Sequence, residues 1–403
     1  MPRPPLAPLV AAAFALAGLS ACIVVKRDFD SDWSFDSSWE HVAKTESGDF
    51  AIEKGDRLVV GGASGDVTVK ATSGVAPHWT AEITGFGETI ADAEKVRDSV
   101  RIETERAGRE VFVRVIGEPV DFGNDHVKMT IGAQVAFSLI VPEGVALELR
   151  TAGGDIKATG PFEGDCDLAS SYGDVELKNA AGRVTAHSAS GRVRLESVRG
   201  PLAEARSSYG DLEIADVHAE RIVAKTSSGE VTLSDSIGAI EIGSGYGDVG
   251  IERSKGRLTG TSSSGDFTVR GLVAEDGGPT TVALESGYGE VRLSGVFTAL
   301  DVESSSGDVE VEALPGSRVE GSWRMRSGYG KVEIALPADA ACALDARTGY
   351  GEIACDFPVT STGGRANDEK SLRGRIGEPR AGASLRLESA SGDVQLRRIP
   401  ISD

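Results

Sequence analysis

The stretch Arg221-Ile222-Val223-Ala224-Lys225-Thr226-Ser227-Ser228-Gly229-Glu230-Val231-Thr232-Leu233 decides the fold. Apolar residues alternate with polar ones on both sides of Gly229, the period-two mark of half-buried strands that meet at a glycine bend. The same string returns along the chain as Ser64-Gly65-Asp66-Val67, Tyr172-Gly173-Asp174-Val175, Ser306-Gly307-Asp308-Val309 and Ser391-Gly392-Asp393-Val394. Between Gly154 and Gly351 the central glycines recur mostly every 18 or 19 residues, and the longer steps are read as loops inserted into single coils. A unit that short cannot hold a βαβ crossover. It fits one coil of a β-solenoid, in which equivalent strands stack in parallel about 4.8 Å apart. The expected fold class is all-β: a parallel β-solenoid (β-helix-like) of about 18–19 residues per coil, with an N-terminal capping region that contains one short helix.

Two columns run through the repeat. The site three before each central glycine is a small hydroxyl in every coil: Thr151, Ser170, Ser188, Ser207, Thr226, Ser244, Ser262, Ser286, Ser304, Ser327, Thr348 and Ser389. Such side chains satisfy backbone groups at turns. The residue directly before the glycine alternates Tyr172, Ser190, Tyr209, Ser228, Tyr246, Ser264, Tyr288, Ser306, Tyr329, and with Tyr350 these are all six tyrosines of the chain. Counting alternate residues back from the bend, as in Leu168, Ser170, Tyr172, predicts that the rings point inward, each filling the space left by a serine on the adjacent coil. The competing reading of Tyr172, Tyr209, Tyr246, Tyr288, Tyr329 and Tyr350 is a ligand surface on which sugar rings stack.

The start of the chain reads as an address. Arg3 precedes an apolar run from Leu6 to Leu16 that is too short to span a bilayer, and Leu19-Ser20-Ala21-Cys22 follows. This string resembles a bacterial lipobox, which implies a signal peptide over residues 1–21 and acylation of Cys22. Ile23, where an Asp would favour retention at the inner membrane, points to the outer membrane. Without Arg3 the formal charge is −21, which repels nucleic acid and anionic lipid surfaces. The expected contact with a membrane is therefore the N-terminal lipid, and the expected ligand a protein or glycan.

Residues 22–44, rich in Asp and Ser, read as a tether. Residues 45–145 read as a β-rich cap with a helix near 89–100, residues 146–335 as the regular solenoid, and residues 336–403 as C-terminal coils and a cap.

Acidic residues after the glycines (Asp174, Asp211, Asp248, Asp266, Asp308) suggest either bend capping or a calcium ladder. Arg192 and Lys331 in the same column favour capping, so no metal or cofactor is expected. The histidines are scattered, and parity places His187 outward, so no catalytic residue is assigned. Cys342 and Cys355 flank one bend and are compatible with either free thiols or a disulfide.

The tandem Ser-Gly-Asp-Val units, the Val141-Pro142-Glu143-Gly144 entry, and the later Leu336-Pro337-Ala338-Asp339 and Phe357-Pro358-Val359-Thr360 carry a resemblance. From about Thr45 to Leu396 the chain resembles a bacterial family of β-strand-repeat proteins whose function is not established and whose members are described as candidate adhesins. The resemblance implies a parallel solenoid on the cell envelope, a binding role and no enzymatic activity. The expected function is a non-catalytic, lipid-anchored envelope protein with a binding surface for protein or glycan. The alternative is a structural or regulatory periplasmic component without an external ligand. The third class compatible with a solenoid, behind these two, is a polysaccharide-active β-helix enzyme.

Overall fold

The computed structural model describes residues 24–27, 39–123, 127–360 and 369–399. Cys22 and the leader before it lie outside them. Within the stretch read as a tether, Val24–Arg27 forms a strand that pairs antiparallel with Val127–Ile131, which in turn pairs with Val120–Gly123.

Each regular coil has two strands joined by the glycine bend. Val184–Ser188 lies in parallel between Cys166–Ser170 and the second half of Val193–Ser207. After the bend, the chain from Val193 pairs in parallel with Val175–Ala181 on one side and with Leu212 onward on the other. In-register stacking lines up like residues, so Leu177, Leu195, Ile214 and Leu233 form one fully buried apolar column. Burial of such a side chain contributes roughly 2 kcal/mol. Each coil gains that only from its neighbours, so cohesion runs along the stack.

The second corner of the coil is turned by a column of left-handed residues: Asn179, Ser197, Asp216, Asp235 and Arg253, with φ between 48° and 60°, followed by Gly271 at 69°. Asn and Asp tolerate this conformation, whereas Arg253 does not favour it. Its guanidinium is held by Asp235 of the preceding coil at 2.8 Å, a contact that sits where the backbone needs support.

Both ends depart from simple winding. Near the N-terminus, Arg57–Ala63 lies between Ala146–Thr151 and Glu110–Gly117, so the first coil in sequence is not the outermost in space. Antiparallel strands His78–Gly87, Glu40–Asp49 and Val100–Ala107 finish the stack. The helix Ile90–Asp98 is N-capped by Thr89, whose hydroxyl accepts from the Asp92 amide. It packs so close to the strand below that a Cβ on Gly85 would lie 2.0 Å from the Ala93 carbonyl oxygen. At the other end, Ser384–Ser389 inserts between Ser322–Ser327 and Cys342–Thr348, and antiparallel Ser371–Ile376 closes the sheet. Antiparallel pairing at both ends covers edges that would otherwise recruit a further coil. Cys166, Cys342 and Cys355 are free thiols, and burial pushes Cys166 and Cys342 up to about 12.

Candidate binding face at the glycine bends

The bends are locked by the hydroxyl column. The Ser207 hydroxyl accepts from the Gly210 amide at 2.9 Å and donates to the Gly191 carbonyl of the preceding coil at 3.0 Å. Ser170, Ser188, Ser304, Ser327 and Ser389 make the same pair of bonds, and Thr226 and Thr348 substitute for serine without loss. The coils approach so tightly here that a Cβ on Gly210 would lie 2.0 Å from the Gly191 carbonyl oxygen. Only glycine fits, which is why the motif keeps it while its neighbours vary.

The acidic residue after the glycine serves the same joint. Asp155 accepts from the Asp174 amide at 2.8 Å, and Asp174 from the Arg192 amide at 2.7 Å. Asp211, Asp248, Asp266, Asp308 and Asp393 each accept from the amide of the next coil in space. These side chains are the bend caps that the sequence suggested, each using one carboxylate oxygen.

The tyrosines are not where strand parity places them. All six are exposed, from 71% for Tyr209 to 83% for Tyr350, whereas Ser170, three residues before Gly173, is 3% exposed. The packing reading is therefore wrong. Cys166–Ser170 ends as a strand at Ser170, and Ser171 to Gly173 are bend residues whose side chains no longer alternate inward and outward. The tyrosine backbone is nonetheless fixed: the amides of Tyr209, Tyr246 and Tyr288 donate to carbonyls of the preceding coil.

In space the Tyr/Ser alternation has no fault. In sequence order Tyr329 is followed by Tyr350, but the stacking order of the bend glycines is Gly330, Gly392, Gly351. Ser391 therefore sits between the two rings, as Ser190, Ser228, Ser264 and Ser306 sit between the others. The result is one row of tyrosines on every second coil, about 9.6 Å apart, with small residues between them.

Beside this row runs the column after the glycines. Asp174, Asp211, Glu230, Asp248, Asp393 and Glu352 are exposed, and Asp266, Glu290 and Asp308 are half-buried. Its two cations are neutralised locally: Arg192 pairs with Glu213 at 3.3 Å, and Lys331 with Glu310 at 2.8 Å and Glu333 at 2.7 Å. Glu290, Asp308 and Glu310 could bring three oxygens within 4.8 Å of one another. Burial, opposed by Arg292, raises the Glu290 pKa, while Lys331 lowers that of Glu310. Arg292 and Lys331 already supply the positive charge there.

His187 is exposed, as expected, and His218 is half-buried with Nε2 3.8 Å from Asp216. A surface depression of about 690 Å³ elsewhere on the solenoid is lined by Arg183, Arg221, Glu241 and Arg257. Glu241 in it is held by Lys225 at 2.6 Å and by Arg221, which bring its pKa down to about 2.

Solved structures similar to this chain include a candidate cell adhesion protein from Clostridium sporogenes (10% identity, 89% of this chain, 100% of that chain, TM-score 0.19). A candidate adhesin from Parabacteroides distasonis (10%, 89%, 97%, 0.24) and a candidate lipid binding protein from the same species (14%, 89%, 97%, 0.21) are others. At TM-scores this low the likenesses carry no argument. No curated protein matches the sequence. The tandem bends do: residues 40–272 and again 240–397 match one family, and by that match the chain belongs to the Toastrack DUF4097 family.

Proposed function

We propose that this protein is a non-catalytic binding module of the bacterial envelope, anchored by an acylated Cys22 at the outer membrane, with the tyrosine row as its contact face for a protein or glycan. The observation that carries the proposal is the exposure of all six tyrosines in one axial row. Exposing an apolar ring has no folding benefit, and six rings repeated in one register on one face, with a polar column beside them, form the kind of exposed aromatic surface that marks an interaction site. The hydroxyl and carboxylate ladders hold the backbone beneath the row rigid, which lowers the entropic cost of binding along it. A long rigid stack also suits the alternative role, a spacer inside the periplasm with no external ligand.

Metabolic lipid labelling of wild type and Cys22→Ser, combined with protease shaving of intact cells, tests the proposal. Label that depends on Cys22 together with removal of the solenoid from whole cells supports surface binding. Label with full protection moves the protein to the periplasmic role, and label independent of Cys22 rejects the anchor.

A further inference from the structure

We propose that the tyrosine row takes a basic, proline-rich segment in the polyproline II conformation, lying along the solenoid axis. This rests on the reading of the row as a binding face and names its ligand class. Three features of the row point the same way.

The first is period. Tyrosines on every second coil repeat at about 9.6 Å, and a polyproline II helix turns once per three residues, about 9.3 Å. Over the five intervals from Tyr172 to Tyr350 the two drift apart by only about 1.5 Å. Every third ligand residue can therefore enter the notch over a serine, flanked by a ring on each side.

The second is hydrogen bonding. A polyproline II backbone makes no internal hydrogen bonds, so its carbonyls remain open to donors. The row offers phenol and serine hydroxyls at matching intervals, and aromatic faces that receive proline rings.

The third is charge. The column beside the rings is acidic, its two cations are already paired, and each capping aspartate has a second oxygen beyond the one that accepts the amide. Lysines or arginines on the ligand meet both those carboxylates and the ring faces. A neutral glycan would gain little from that column. A second copy of this chain would bring acid against acid.

The experiment is titration of the full chain with a synthetic six-repeat Lys-Pro-Pro peptide. The controls are Lys-Gly-Gly and Glu-Pro-Pro peptides of equal length and a β-linked glucose hexamer, and the comparison protein is the triple variant Tyr209→Ser, Tyr246→Ser, Tyr288→Ser. Serine is native to this column, so the variant is expected to fold, and unchanged thermal unfolding verifies that. Saturable binding of the Lys-Pro-Pro peptide, about tenfold or more weaker with the variant protein, and about tenfold or more weaker for the Lys-Gly-Gly and Glu-Pro-Pro peptides with wild type, is the expected result. Equal binding of the Lys-Gly-Gly peptide, or no loss in the variant, overturns the proposal. Tyrosine-dependent binding of the hexamer with the peptides silent, or tyrosine-dependent self-association in sedimentation, also overturns it while leaving the row a binding face. Indifference of all these measurements to the tyrosines removes both readings.

Discussion

The Ser389 hydroxyl donates to the Gly330 carbonyl at 2.8 Å, joining residues 59 apart in the chain. That bond marks the point where the last coil slides between two earlier ones, and it keeps serine and tyrosine alternating to the end of the row. A chain ending at Arg380 would therefore lose a coil from inside the stack. Cys342–Thr348 would keep its antiparallel partner Ser371–Ile376 but lose its parallel one. Hydrogen exchange is expected to show rapid loss of protection over 342–355 in the truncated protein, with residues 166–300 unchanged. Unchanged protection over 342–355 would contradict the insertion.

Ser207→Ala leaves the Gly210 amide and the Gly191 carbonyl without their shared partner in a buried corner. The expected cost is about 1–3 kcal/mol in urea unfolding. Ser207→Thr should cost well under 1 kcal/mol, since Thr226 and Thr348 make the same bonds in their coils. Equal costs for Ala and Thr would mean that the hydroxyl is not what matters.

The repeat was legible because its constraints are local: the glycine, the hydroxyl three before it and the capping acid each answer a need within one bend and its neighbour. Parity failed at the tyrosines because alternation holds only while the backbone is extended, and Ser170 ends the strand. The insertion of Ser384–Ser389 is not legible in the repeat, since pairing across that distance leaves no periodic mark. It did leave a trace: Tyr329 and Tyr350 break the alternation in sequence, and Ser391 is the spare serine that restores it.

The triple variant Tyr209→Ser, Tyr246→Ser, Tyr288→Ser is expected to unfold within about 0.5 kcal/mol of wild type, as exposed substitutions do. Rings packed in the core would each cost about 3–5 kcal/mol on truncation. A loss of that size would return the tyrosines to a packing role.

Lys225, then Arg221, hold Glu241 well below its ordinary 4.5, at about 2. A carboxylate depressed in the folded state stabilises it above the unfolded value, and that gain fades as pH falls through the folded one. Glu241→Gln should therefore lower stability at neutral pH, by less than about 1 kcal/mol because the pair is solvent-screened. The difference from wild type should shrink as pH falls from 4.5 towards 2. A difference that persists near pH 2 would point to packing rather than charge.

The most direct test of the exposed row as a contact face is tyrosine nitration by a small soluble reagent, mapped by mass spectrometry in the purified protein and in intact envelopes. The account predicts that all six tyrosines react in the purified protein and are protected as a set in the envelope. Resistance of the rings in the purified protein would contradict the exposed row, and equal reaction in both settings would contradict its occupation by a partner.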